Sequence, residues 1–433
     1  MIGVIADDLT GANDVGSMFA KNGCITRVFL FEAMDKIVEY TDKTDVIIID
    51  TNSRYDDKNL AYEKVKKAAN KLLSLGCKFI YKKIDSTLRG NIGSEIEAVM
   101  NECNCKFIIL VPAFPKNNRT TKNGYHYINE ILLENTERNK DIIHPMKDSY
   151  LPKIISSQTQ LKVGLITLDI VRDGVAKLKE AIETAKNKFQ IVIIDTVLQD
   201  DLKIIAQVVS DMPVFAGSSA LAEELPCHSE LVSESICKIP KQVSNDTLGT
   251  LIVVGSATEV SRKQTLFAKK NDIEVFQINT NLLWSDPDKF NIEINTIIDA
   301  TIDLIKSGKN VLITSALDKG IIEKTKELDA DIKTICEKVS EVLAETVFKV
   351  SKKINITKLI IAGGDTAVTV CRKLGIICSL ILKEIQPGVP VSLAMEKEML
   401  LVLKSGGFGT EDFFTDAISK ITREGHPELV SGS

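Results

Sequence analysis

No apolar run in this 433-residue sequence approaches the roughly 18 residues of a membrane-spanning helix. No transmembrane segment is therefore expected. Histidine is scarce: the four present include no pair at the spacing of a metal site, so no residue is assigned as a metal ligand. The nine cysteines are an odd number without C-x-x-C. Cys103 and Cys105 read as small buried hydrophobes, and the set suits a reducing compartment. Two nucleotide fingerprints are missing, G-x-G-x-x-G and G-x-x-x-x-G-K-[ST]. The first absence counts against a nicotinamide-dependent dehydrogenase. There is no basic leader either. The opening MIGVIADDL reads as a first strand rather than a signal peptide, and a cytoplasmic location is expected. A net charge of −5 argues against nucleic acid or an anionic membrane as partner. Any anionic ligand must then be held by a local site.

The length exceeds what one core usually holds, so two domains are expected. Strand-like runs alternate with helical patterns. The first half offers Ile2–Ala6, Thr26–Phe31, Val46–Asp50, Lys78–Lys82, Phe107–Val111, Val163–Thr167, Ile191–Asp195 and Pro213–Gly217 as strands. Asn59–Leu75 and Val171–Lys188 read as helices between them. The second half offers Leu251–Val254, Ile273–Ile278, Val311–Thr314, Leu359–Ala362, Leu380–Ile385 and Leu400–Leu403, with a long helix over Ile332–Ile354. Such alternation predicts α/β domains with mostly parallel sheets. The expected divisions are a domain over 1–225, a polar linker over 226–246, a domain over 247–425 and a tail over 426–433. HSELVSES at His228–Ser235 and HPELVSGS at His426–Ser433 agree at six of eight positions. They resemble translated palindromic repeats, lie where insertions are tolerated, and are assigned no chemistry.

The chemistry gathers at strand ends. Lys358–Gly375 reads KLIIAGGDTAVTVCRKLG: a strand, a turn at Gly363, Gly364, Asp365 and Thr366, then a helix that Gly375 stops. Such a turn aims backbone N–H groups and a positive helix end at one point, which suits phosphate. The plainer reading is a βα turn with an Asp or Thr cap. VVGSATEVSR repeats the pattern at Gly255 and Ser256. KSGGFGTEDFF does so at Gly406, Gly407 and Gly409, with a helix expected from Thr410. Three such turns are more than packing needs and suit a nucleoside triphosphate.

In the first half, IADDLTGANDVG puts Asp7 and Asp8 just past a strand, with Thr10 placed to cap the next helix. Two carboxylates there suit hydroxyls, a base or Mg²⁺; a polar turn is the plainer alternative. YKKIDSTLRGNIG packs Lys82, Lys83, Asp85, Ser86 and Arg89 into a strand-to-helix junction. Cations beside hydroxyls are what a carboxylate or phosphate requires, although a solvated charge run would look similar. VPAFPKNNRTTKNGYH carries Arg119 and reads as a Pro-rich loop, and TNSR carries Ser53 and Arg54.

Together IADDLTGANDVG, KKIDSTLRGNIG, VPAFP with RTT and GYH, GSSAL, VVGSATEVSRKQ, AGGDTA, PGVPVSLA and KSGGFG resemble the four-carbon acid sugar kinase family over most of the chain. The resemblance implies two α/β domains with the active site in the cleft between them. It implies ATP-dependent phosphorylation, with Mg²⁺, of the terminal hydroxyl of 3-oxo-tetronate, threonate or erythronate. Asp7, Asp8, Ser53, Arg54, Lys83, Asp85, Arg89, Arg119, Gly217, Ser218 and Ser219 would line the acid. Ser256, Gly363, Gly364, Asp365, Thr366, Gly406, Gly407 and Gly409 would line ATP. Asp365 and Asp8 are the candidates for the catalytic carboxylate. Asn118 stands where the family usually has Gly, and Asn tolerates the left-handed geometry. Expected partners are the sugar acid and ATP, with a homodimer left open. A non-catalytic sugar-acid sensor would keep the basic loops but have no need of three phosphate turns.

Overall fold

A computed structural model describes residues 1–140, 145–225, 247–326 and 332–423. The chain divides into two compact units, Met1–Val232 and Ser233–Ser433. The expected linker and tail lie outside the described residues.

The first unit is built on β1 (Ile2–Ala6), β2 (Thr26–Leu30), β3 (Val46–Asp50), β4 (Phe79–Lys83) and β5 (Ile108–Val111). A small antiparallel sheet follows, β6 (Arg119–Lys122), β7 (Tyr125–Ile128) and β8 (Ile131–Leu132). Then come β9 (Val163–Ile166), β10 (Ile191–Ile194) and β11 (Val214–Gly217). The main sheet runs β2-β3-β1-β4-β11-β5-β10-β9 and every pair in it is parallel. Its central strands β1, β3, β5 and β10 are apolar and buried almost throughout, because helices cover both faces. The register sets Ala6 beside Asp50 and Lys83, and Gly217 beside Lys83 and Val111. The residues that follow these strands therefore emerge side by side.

The second unit contains β12 (Leu251–Val254), β13 (Glu274–Gln277), β14 (Val311–Thr314), β15 (Lys358–Ala362), β16 (Cys378–Gln386), β17 (Val389–Ala394) and β18 (Met399–Lys404). The order β13-β14-β12-β15-β18 is parallel, and β17 and β16 add antiparallel strands beyond β18. Val254 pairs with Thr314 and Ala362, and Ala362 with Lys404, so these strand ends also form one row.

The mostly parallel α/β architecture is as expected, with three local differences. The stretch read as a loop after Val111 carries β6 to β8. β17 was not foreseen. The helix expected over Val171–Lys188 is two, Leu168–Arg172 and Val175–Lys186, broken at Gly174 with φ 98°. The long helix Ile332–Lys353 buries Ile335, Leu343, Val347 and Val350, while Val339 and Val342 are half-buried. Among the described cysteines six are free thiols, and Cys24 is disulfide-bonded. No described helix is long and apolar enough to cross a membrane.

Candidate functional site

In the first unit the residues after β1, β3 and β4 form one charged cluster. Arg54 donates Nε and Nη2 to Asp7 at 2.8 and 2.9 Å, and Nη1 and Nη2 to Asp8 at 2.7 Å each. Asp8 also accepts from the Thr10 hydroxyl at 2.7 Å and the Gly11 amide at 2.9 Å. The helix Leu9–Lys21 is thus capped by Asp8, not by Thr10. Arg89 donates Nε to Asp85 at 2.6 Å. Lys82 pairs with Glu95 at 2.8 Å, both fully buried, and Ser53 donates to the same carboxylate at 2.6 Å. Lys83 donates to the Ile84 carbonyl at 2.8 Å and forms no ion pair among the described residues.

This geometry fixes the charge states. Burial pushes the Asp7 carboxyl up, but Arg54, with Lys82 and Lys83, outweighs it and holds it below the usual carboxylate range. Burial likewise opposes ionisation of Asp85, and Arg89 and Arg54 hold it well below that range. These two carboxylates are committed acceptors and poor bases near neutral pH. Arg54, Lys82, Lys83, Arg89 and Arg119 thus gather at one sheet edge beside Asp7, Asp8, Asp85 and Glu95.

Arg119 opens β6, buried, with Nη1 on the Ser86 hydroxyl. His126 on β7 hydrogen-bonds the Ser86 carbonyl at 2.9 Å through Nε2. Burial, with Arg119 adding to it, pushes this imidazole down to about 4, so it is neutral and braces the loop. Asn118 takes the left-handed geometry its side chain tolerates, at φ 53°. Leu88, beside Arg89, is also left-handed at φ 65°, which costs a leucine roughly 1–2 kcal/mol. Its buried side chain and its amide on the Asp85 carbonyl hold it there. Ser218 and Ser219 lie at the same sheet edge with their hydroxyls engaged inside the unit, Ser218 on the Ala113 carbonyl at 2.5 Å and Ser219 on Asp14.

In the second unit the three glycine turns touch one another. The Gly255 and Ser256 amides both donate to the Ala362 carbonyl, at 3.0 and 3.2 Å. A Cβ on Gly255 would sit 2.0 Å from Thr366 Oγ1, and one on Gly406 would sit 2.1 Å from Ser256 Oγ. Gly363, at φ 125°, lies against the Ser256 amide. It caps the helix Gly364–Leu374, so neither Asp365 nor Thr366 is the cap. Asp365 is exposed in the first turn of that helix. Beyond the loop at Gly406–Gly409 the helix starts at Phe413 rather than Thr410.

Residues 2–225 match the model of a sugar-binding N-terminal domain, and residues 251–414 that of a nucleotide-binding C-terminal domain. The chain belongs to the four-carbon acid sugar kinase family. Among relatives within this sugar kinase family, it is 30% identical to a 3-oxo-tetronate kinase of Actinobacillus succinogenes, over 96% of this chain and 98% of that one. It is also 30% identical to a D-threonate kinase of Salmonella typhimurium, over 96% and 97%. A solved structure from Salmonella typhimurium LT2 matches with a TM-score of 0.79 at 26% identity, covering 96% of this chain and 98% of that one.

Some residues of these sites were not singled out from sequence. Glu95 sits inside an otherwise amphipathic helix, Ile92–Glu102, and only the fold shows that its partner is Lys82. Lys404 and Gln264, which grip the Gly406–Gly409 loop, open and close the motifs KSGGFG and VVGSATEVSRKQ but were given no role there.

Proposed function

We propose that the chain is an ATP-dependent kinase that phosphorylates the terminal hydroxyl of a four-carbon sugar acid: 3-oxo-tetronate, threonate or erythronate. The observation that carries this reading is the mutual contact of three backbone turns at Ser256, in a chain whose other unit gathers Lys83, Arg89 and Arg119 at one sheet edge. A sugar-acid carboxylate is the anion such a set of cations suits. In this reading Lys83, Arg89 and Arg119 bind the carboxylate, since guanidinium groups suit bidentate recognition. Asp8 and Ser53 orient hydroxyls. Arg54 keeps Asp7 ionised and holds Asp8 through two hydrogen bonds. Ser256, Gly363, Gly364, Thr366, Gly406, Gly407 and Gly409 line the nucleotide phosphates.

Phosphoryl transfer needs alignment and charge neutralisation more than covalent help. No group of three or more His, Cys, Asp or Glu among the described residues suits a metal ion. Mg²⁺ accompanying ATP needs only one or two carboxylates besides the phosphates, and exposed Asp365 beside the turns fits that role. The ion would neutralise phosphate charge. Asp365 is also the better candidate for accepting the hydroxyl proton, since Asp7 and Asp85 are held as weak bases. Its need for ATP supports a cytoplasmic location.

A panel of the three acids in a coupled ADP-release assay tests the reading. Release well above background with at least one acid is expected. None, from folded protein, would refute it. Arg119→Ala should raise KM for the acid by about tenfold or more, the worth of a lost charge-assisted hydrogen bond. The ATP KM should stay within about twofold, because Arg119 lies in the sugar-binding unit. The reverse pattern would move Arg119 to the phosphate side.

A further inference from the structure

Lys404 ends β18, and its side chain is wholly buried. Its ammonium donates to the carbonyls of Ser405 at 3.0 Å, Gly406 at 3.5 Å and Phe408 at 3.1 Å. Phe413 lies 5.6 Å from it, ring centre to nitrogen. Burial pushes the ammonium down to about 7, and no carboxylate offsets the cost. Burying an unpaired charge is expensive, and an apolar side chain of similar volume would serve stability better.

Other donors converge on the same loop. Gln264 Nε2 donates to the carbonyls of Phe408, Gly409 and Thr410, at 3.0, 3.1 and 2.9 Å. Its Oε1 is buried and finds no donor among the described residues, so the side chain is held there for its N–H group. The hydroxyls of Thr258 and Ser261 both reach the Gly406 carbonyl, at 2.8 and 3.0 Å. Five carbonyls of the loop 405–410 are thus drawn inward by side chains. The amides of Gly406, Gly407 and Gly409 find no acceptor among the described residues. Turning carbonyls inward is how a short loop presents its N–H groups to an anion.

We infer that Lys404 and Gln264 are positioning residues for the nucleotide phosphates: they hold the loop 405–410 carbonyl-inward, so that its glycine amides face the phosphate. Neither side chain need touch the nucleotide. The inference rests on the nucleotide reading of this unit and adds what shapes the loop.

The test is direct titration with ADP, beside steady-state KM values for ATP and the acid, on the full chain. Lys404→Met should weaken ADP binding by about tenfold or more, as expected when charge-assisted hydrogen bonds are lost. The KM for the acid should stay within about twofold. Gln264→Leu keeps the lysine and should show the same split, and it decides the matter where Lys404→Met does not fold. Variants that bind ADP within about twofold of wild type would overturn the inference and leave the function standing. So would equal rises in both constants with a lower melting temperature, the mark of general loosening. A wild-type chain that binds no ADP would overturn the proposed function itself, and this inference with it.

Discussion

Replacing Arg54 by leucine should lower stability by about 3–5 kcal/mol and abolish activity. Arg54 makes four hydrogen bonds to two carboxylates, and removing one partner of a buried ionic network leaves the other charges uncompensated. In a unit of this size the loss corresponds to a fall of roughly 6–20 °C in melting temperature. Adding Asp7→Asn should restore part of the stability and none of the activity. The sign with pH follows from Asp7. Its folded pKa is depressed, so its contribution is present above the unfolded value of about 4 and is lost as pH falls through the folded value. In Arg54→Leu, protonation instead relieves a buried charge. The gap between wild type and variant should therefore narrow as pH falls toward about 4. Calorimetry across that range checks it. A variant melting within about 2 °C of wild type at neutral pH would show that the network holds nothing together.

Asp365→Asn should cut kcat by about 10²–10⁴-fold at saturating ATP and acid, the usual worth of a positioned base. Asp365 stands exposed in the first turn of Gly364–Leu374, beside the turn at Gly363. Asp8→Asn should chiefly raise the KM of the acid, because Asp8 already accepts from Arg54, Thr10 and Gly11 and is placed as an acceptor of hydroxyls. If Asp8→Asn abolishes kcat while Asp365→Asn changes only the ATP KM, the two roles must be exchanged.

The strands that carry the site were legible because parallel strands buried on both faces read as unbroken apolar runs. VIIID, IILV and KLIIA are such runs, and within each unit the residues after the strands land in one row only because the register is parallel. The small strands β6 to β8 were not legible. They are two to four residues long and form a separate small sheet, tied to the rest of the unit only by single bridges such as Thr121 to Thr196 and Tyr125 to Tyr150. β17 was hidden by Pro390, which argues against an interior strand. The structure accommodates it at the irregular end of β17, where it opposes Glu384 before pairing with β18 begins at Val391. The Lys82–Glu95 pair and the grip of Gln264 on the glycine loop depend on separate segments meeting, and the grip of Lys404 on carbonyls just beyond it depends on how that loop folds back; no local spacing announces either.

The most direct measurement is the structure of the product. The wild-type chain, incubated with Mg²⁺, ATP and the best acid of the panel, is followed by phosphorus and proton-coupled NMR. A phosphomonoester on the terminal carbon, formed one-for-one with ADP and only when the acid is present, is the predicted result. Inorganic phosphate released with ADP, or phosphate found on the carboxylate, would contradict the account.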